Sequence, residues 1–188
     1  MMIYLLFLEG NNQMNNSGSK ASRKTKDLVL ASLFAALTCL TTAYILHIPV
    51  GANGGYVHIG DTFIYLAAAI LPMPYAMIAG AVGAGFADLI TGSAAWVIAT
   101  IIIKPILVLC ITSKCKKIIN TRNVIGSFIA GFIGWFLYMV AGGFIFGSFE
   151  SAFVFSALDM LQPIGSFIAF VLIGLALDKI NIKQNLRK

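Results

Sequence analysis

Charge is scarce in this sequence. Of its 188 residues, 11% are charged and 59% are hydrophobic, whereas a soluble domain carries about 25% charged residues. With a mean hydropathy of +0.91, the chain reads as an integral membrane protein, and its length leaves room for one compact helical bundle but no soluble catalytic domain. Cysteine is sparse too. Cys39 and Cys110 lie in apolar segments and Cys115 in a basic loop, with no CxxC spacing, so neither a disulfide framework nor a metal knuckle is implied. Catalytic motifs are missing: there is no GxSxG, HExxH or P-loop. Both histidines, His47 and His58, fall in one loop, which leaves no intramembrane Ser/His pair. The sequence therefore reads as a non-enzyme without a cofactor or metal, unable by itself to hydrolyse nucleotide. The net charge of +6 comes from basic residues at the ends of apolar segments, where they act as topological anchors, so no nucleic-acid binding is expected.

The placement of those basic residues is the main positive signal. Twelve of the thirteen form three clusters: Lys20/Arg23/Lys24/Lys26, Lys114/Lys116/Lys117/Arg122 and Lys179/Lys183/Arg187/Lys188. Loops on the cytoplasmic side are enriched in Lys and Arg, so all three clusters are expected there, with an even number of crossings between neighbours. Apolar segments at 27–46, 61–71, 75–91, 95–112, 124–146 and 152–177 then give an all-α membrane domain over 27–178. It has six transmembrane helices and both termini in the cytoplasm. Segment 61–71 is only about 16 Å long as helix, but parity requires it to cross, by borrowing residues from Tyr56 onward or through a locally thin region. Residues 1–26 read as a disordered, basic tail and 179–188 as a second basic tail. The run MMIYLLFL is too short to span a bilayer and lacks the flanks of a signal peptide; Met14 is an alternative start. Small residues crowd 75–91 (Ala76, Ala79, Gly80, Ala81, Gly83, Ala84, Gly85, Ala87), which predicts a central, tightly packed helix. Trp96 fits an interfacial belt, Trp135 and Tyr138 suit either packing or pocket lining, and no internal repeat of the inverted-transporter kind stands out.

Acidic residues divide by depth. Glu9, Asp27 and Asp178 are tail or boundary residues. Asp61, Asp88, Glu150 and Asp159 gather at the outer face or in the outer half, with Gln162 one turn below Asp159. Lys104, the thirteenth basic residue, lies about 13 Å down the fourth helix from the same side. A charge inside a span costs about 2.5–3.5 kcal/mol, so Lys104 requires a carboxylate, and Asp88 and Asp159 are the candidates. A structural ion pair is the plainer reading. An outward-open pocket for a small polar ligand is preferred, because polar groups from several helices gather at one depth. His58 and Asp61 are too few for a metal site and suit pocket lining or helix capping; Tyr56 and Phe63 suit either ligand stacking or an interface.

The run at 54–105, GGYVHIGDTFIYLAAAILPMPYAMIAGAVGAGFADLITGSAAWVIATIIIKP, resembles the signature region of S components of energy-coupling factor (ECF) transporters. The resemblance rests on the IGD that opens the second helix, the Gly/Ala-rich helix ending in ADL, and Thr100 four residues before Lys104. It implies a six-helix, multi-pass protein of the bacterial plasma membrane that captures a B vitamin or precursor and hands it to a transmembrane coupling subunit and two cytoplasmic ATPase subunits. His58, Asp61, Asp88, Lys104, Glu150, Asp159 and Gln162 are the expected ligand-binding residues. The AxxxA pair Ala31 and Ala35 is, by the same resemblance, the coupling-subunit dock. The region is closest to members for pyridoxine or hydroxymethylpyrimidine, then riboflavin. Two tryptophans disfavour the thiamin branch. The competing classes are a stand-alone small-molecule transporter or channel and a lipid-modifying membrane enzyme.

Overall fold

A computed structural model describes the backbone of residues 2–45, 48–50 and 55–186, and the side chains of residues 21–45, 58–154, 156, 157 and 159–186. His47 and the side chain of Tyr56 lie outside the described residues. Helices make up nearly all of it: α1 (Met2–Tyr44), α2 (Asp61–Ile70), α3 (Met73–Ile90), α4 (Val97–Leu109), α5 (Thr121–Phe146), α6 (Phe149–Asp159), α7 (Leu161–Lys179) and α8 (Ile182–Leu186). The loop expected at 47–60 contains one small departure from the all-α reading, an antiparallel pair of three-residue strands, β1 (Ile48–Val50) and β2 (Gly55–Val57), with Pro49 opposite Tyr56. Among the described residues, four helical stretches are long and apolar enough to cross a membrane: Ala21–Tyr44, Met73–Ile90, Thr121–Phe146 and Leu161–Lys179. Asp61–Ile70 and Ala94–Leu109 are shorter apolar helices.

Proline and asparagine set most of the boundaries. Leu71 is extended (φ −87°, ψ 158°) because it precedes Pro72, and Pro74 falls in the first turn of α3, where a missing N–H costs nothing. The sixth apolar segment breaks at Met160 into α6 and α7, because Pro163 lacks an N–H and its ring would clash with the Asp159 carbonyl. The Asn120 side chain caps α5 by accepting the Asn123 N–H at 3.1 Å, and Gly147 closes that helix in the left-handed conformation (φ 69°). At the N-terminus, α1 continues back through the segment that reads as a disordered tail. No proline interrupts it, and Gly10 and Gly18 each cost only about 1 kcal/mol within a helix.

The helix enclosed on every side is α2, not the small-residue helix α3. Nine of its ten residues are buried, against α1, α3, α4 and α7, as expected of a helix apolar all round. α3 packs closely on α1 through its small residues, and a side chain on Gly83 would collide with the Ala35 backbone. Its other face, with Ile78, Val82 and Phe86, is exposed, as are Leu33, Ile98, Phe144 and Leu172 on neighbouring helices. These outward apolar residues suit lipid rather than water.

The ends of the bundle differ. At one end, residues 22–30 of α1 lie beside the turn from α2 into α3, and the α4–α5 connection meets α7, which gathers the described parts of all three basic clusters. That connection is irregular backbone, and side chains satisfy it. Asn123 accepts from the Thr112 N–H and donates to the carbonyls of Thr112 and Ile118, at 2.9–3.0 Å. Asp178 accepts the N–H groups of Ile118 and Ile119 at 2.8 and 2.9 Å, a structural role that its boundary position in the sequence does not suggest.

Candidate ligand-binding site

Asp61 opens α2, and the brevity of that helix explains its burial. Ten residues rise about 15 Å, half of a hydrocarbon core about 30 Å thick, so the helix starts inside the bundle. Asp61 is 4% exposed and Lys104, arriving from α4, is 1% exposed. Lys104 Nζ lies 2.6 Å from Asp61 Oδ1, and Gln162 in the first turn of α7 donates Nε2 to Asp61 Oδ2 at 3.0 Å. One carboxylate thus joins α2, α4 and α7 through both its oxygens. The expected partners of Lys104, Asp88 and Asp159, are replaced in this role by Asp61. The residue reads as superficial only when its helix is assumed to start at the surface.

Lys104 Nζ also stands 4.9 Å from the centroid of the Tyr138 ring, within cation–π range. The Tyr138 hydroxyl and Thr100 Oγ1, one turn before Lys104, are 2.9 Å apart and hydrogen-bonded. Thr62, the next residue of α2, donates its hydroxyl to the Ser166 carbonyl at 3.2 Å, a second tie between α2 and α7.

Beside this network lies a cavity of about 70 Å³, measured as the volume open to the centre of a water molecule. Asp88 of α3 and Asp159 at the end of α6 supply its other two carboxylates. His58 and Thr42 line it where the hairpin leads into α2. The His58 ring is fixed because Nδ1 accepts the Gly60 N–H at 2.9 Å, and a side chain on Gly60 would strike the Thr42 hydroxyl. Three aromatic residues complete the lining: Trp96, Trp135 and Tyr138. Trp96 leans on Tyr138 and Phe146, with ring centroids 5.9 and 5.7 Å away, and Trp135 Nε1 donates to the Ser156 carbonyl at 2.6 Å, tying α5 to α6.

Six of the seven expected ligand-binding residues therefore line one cavity: His58, Asp61, Asp88, Lys104, Asp159 and Gln162. Glu150 does not. It is exposed in the first turn of α6, where the helix dipole favours an acid. Phe63 packs against the core rather than lining the cavity. Trp96, expected in an interfacial belt, lines the cavity instead, and Thr42 carried no signal that separates it from other threonines in apolar helices. Among the described residues, no three His, Cys, Asp or Glu side chains converge in the way a metal site requires.

Ala31 is buried in the core and Ala35, half-buried, packs against it; the Ala35 backbone is where Gly83 of α3 comes close. Within the apolar part of α1, Ser32 and Ala36, also one turn apart, are exposed.

A sequence profile described as ECF-type riboflavin transporter, S component, matches residues 22–183. No curated protein and no solved structure matches the chain.

Proposed function

Since the chain belongs to the family of ECF-type riboflavin transporter S components, we infer that it is the substrate-capturing membrane subunit of an importer and binds its cargo in the cavity beside Lys104. The reading includes six membrane crossings, the three basic clusters and both termini in the cytoplasm, and residence in a bacterial plasma membrane. Energy comes from partners, a transmembrane coupling subunit and two ATPases. The face of α1 that meets the coupling subunit is the one bearing Ser32 and Ala36, since the alternative small pair is occupied by α3.

The observation that carries the reading is the Lys104–Asp61–Gln162 network. It neutralises Lys104 from within the wall, and the wall also presents the carboxylates of Asp88 and Asp159, His58, Thr42, Thr100 and three aromatic rings. Such a lining suits a flat, uncharged heteroaromatic with hydroxyl or ring N–H donors: carboxylates accept the donors and the rings stack on its faces. A cavity of about 70 Å³ lies well below the range of about 300–1,000 Å³ usual for ligand pockets, so the walls part for any vitamin. A single-ring vitamin or precursor of the pyridoxine or hydroxymethylpyrimidine kind asks for the least opening, and riboflavin, which the family description names, is the second choice. Mass spectrometry of small molecules that co-purify with the detergent-solubilised chain tests this directly. Recovery of a single-ring heteroaromatic is expected; recovery of a phosphorylated or polyanionic compound would overturn the assignment. Uptake by cells that lack any coupling module would make the chain a stand-alone transporter instead.

A further inference from the structure

A second cleft lies at the basic end of the bundle, far from the Asp61 cavity along α2, whose last residue Ile70 helps to line it. It is larger, about 450 Å³ by the same measure, and of a different chemistry. Arg23 and Lys26 on α1 are three residues apart and so share a helix face; both are exposed. The hydroxyl residues Ser22 and Ser113 stand in the same wall, and among the described residues Asp27 is its only acidic member. The remainder is apolar, including Leu30 and Leu71.

We propose that this cleft binds the headgroup of an anionic phospholipid, with Arg23 and Lys26 on the phosphate, Ser22 and Ser113 as neutral hydrogen-bond donors, and the apolar floor against the glycerol and upper acyl chains. Depth supports a lipid over a free anion. Arg23 and Lys26 stand within two turns of Leu28, where the apolar run of α1 begins, which places them at headgroup level, and a soluble phosphate has no use for an apolar floor. Basic pockets between helices on the cytoplasmic side are the usual form of such sites.

The test uses the purified full-length chain in neutral detergent, titrated with phosphatidylglycerol, phosphatidylcholine or inorganic phosphate and followed by native mass spectrometry and thermal melting. Phosphatidylglycerol is expected to stay bound and raise the melting temperature, while phosphatidylcholine and inorganic phosphate do neither. The double substitution Arg23→Gln/Lys26→Gln should weaken phosphatidylglycerol retention by about 30-fold, and Ser113→Asp should weaken it independently. Lys116→Gln/Lys117→Gln, which alters exposed lysines outside the cleft, should leave it unchanged. Equal losses in the two double variants would mean diffuse surface attraction and overturn the site. Stabilisation by inorganic phosphate would make it a free-anion site. Normal lipid retention in Arg23→Gln/Lys26→Gln, with loss of uptake alongside the coupling subunit and ATPases, would make the cleft a protein dock; either result defeats the proposal.

Discussion

Lys104 Nζ and Asp61 Oδ1 are 2.6 Å apart across 43 residues of sequence, and the pair is almost fully enclosed. Taking one member away leaves the other charged and buried, which costs about 3–5 kcal/mol. Asp61→Leu and Lys104→Met are each expected to lower the melting temperature of the solubilised protein sharply. The double variant Asp61→Leu/Lys104→Met should recover most of that loss, yet still bind ligand poorly. A double-mutant cycle on thermal melts checks the coupling.

Charge selectivity follows from the same pair. With Lys104 neutralised, a ligand phosphate would face Asp88 and Asp159 without a free cation opposite it. In competition binding, a phosphorylated form of the cargo should be about 100-fold weaker or worse than the free alcohol. Asp88→Asn should narrow that gap while weakening the alcohol itself.

Both tryptophans of the chain line the cavity, so intrinsic fluorescence should respond to cargo. Trp135→Phe removes the bond to the Ser156 carbonyl, a stability cost of about 1 kcal/mol, along with part of the stacking surface. About tenfold weaker binding and a halved quenching signal are expected in a fluorescence titration. Glu150→Gln, at an exposed position outside the cavity, should change neither.

The two small pairs on α1 separate folding from coupling. Ala31→Trp places an indole in the core against α3 and should yield little folded protein. Ala36→Trp, on the exposed face, should bind cargo normally and fail in uptake assays with the coupling subunit and ATPases. Normal uptake by Ala36→Trp would remove that face of α1 from the docking surface.

Much of this architecture was legible because it is written in composition and in proline. The apolar segments at 61–71, 75–91 and 124–146 match α2, α3 and α5 to within three residues at each end, and the gathering of polar groups at one end of the bundle follows from basic clusters that mark the other. What was hidden has physical causes. α2 is apolar all round, so its pattern names no face and gives no sign that it is the central helix. The depth of Asp61 depends on how far a short helix sinks, which spacing along the chain cannot measure, and the partner of Lys104 was misread for that reason. Pro163 was visible, but the apolar run continues through it, so α6 and α7 read as one span. Ala31 and Ala35 show that a pair of small residues announces a close helix contact without saying with which helix.

The enclosure of α2 limits how relatives with this plan can diversify. A substitution there disturbs four neighbouring helices at once, so the Asp61 end is a poor place to experiment with a new cargo. The wall contributed by α5, α6 and the start of α7 has one side toward the surroundings, so an exchange there is expected to disturb fewer neighbours. A lineage that changes its vitamin would be expected to rewrite Trp135, Tyr138 and Asp159 first, leaving the acidic residue at the head of the buried helix in place.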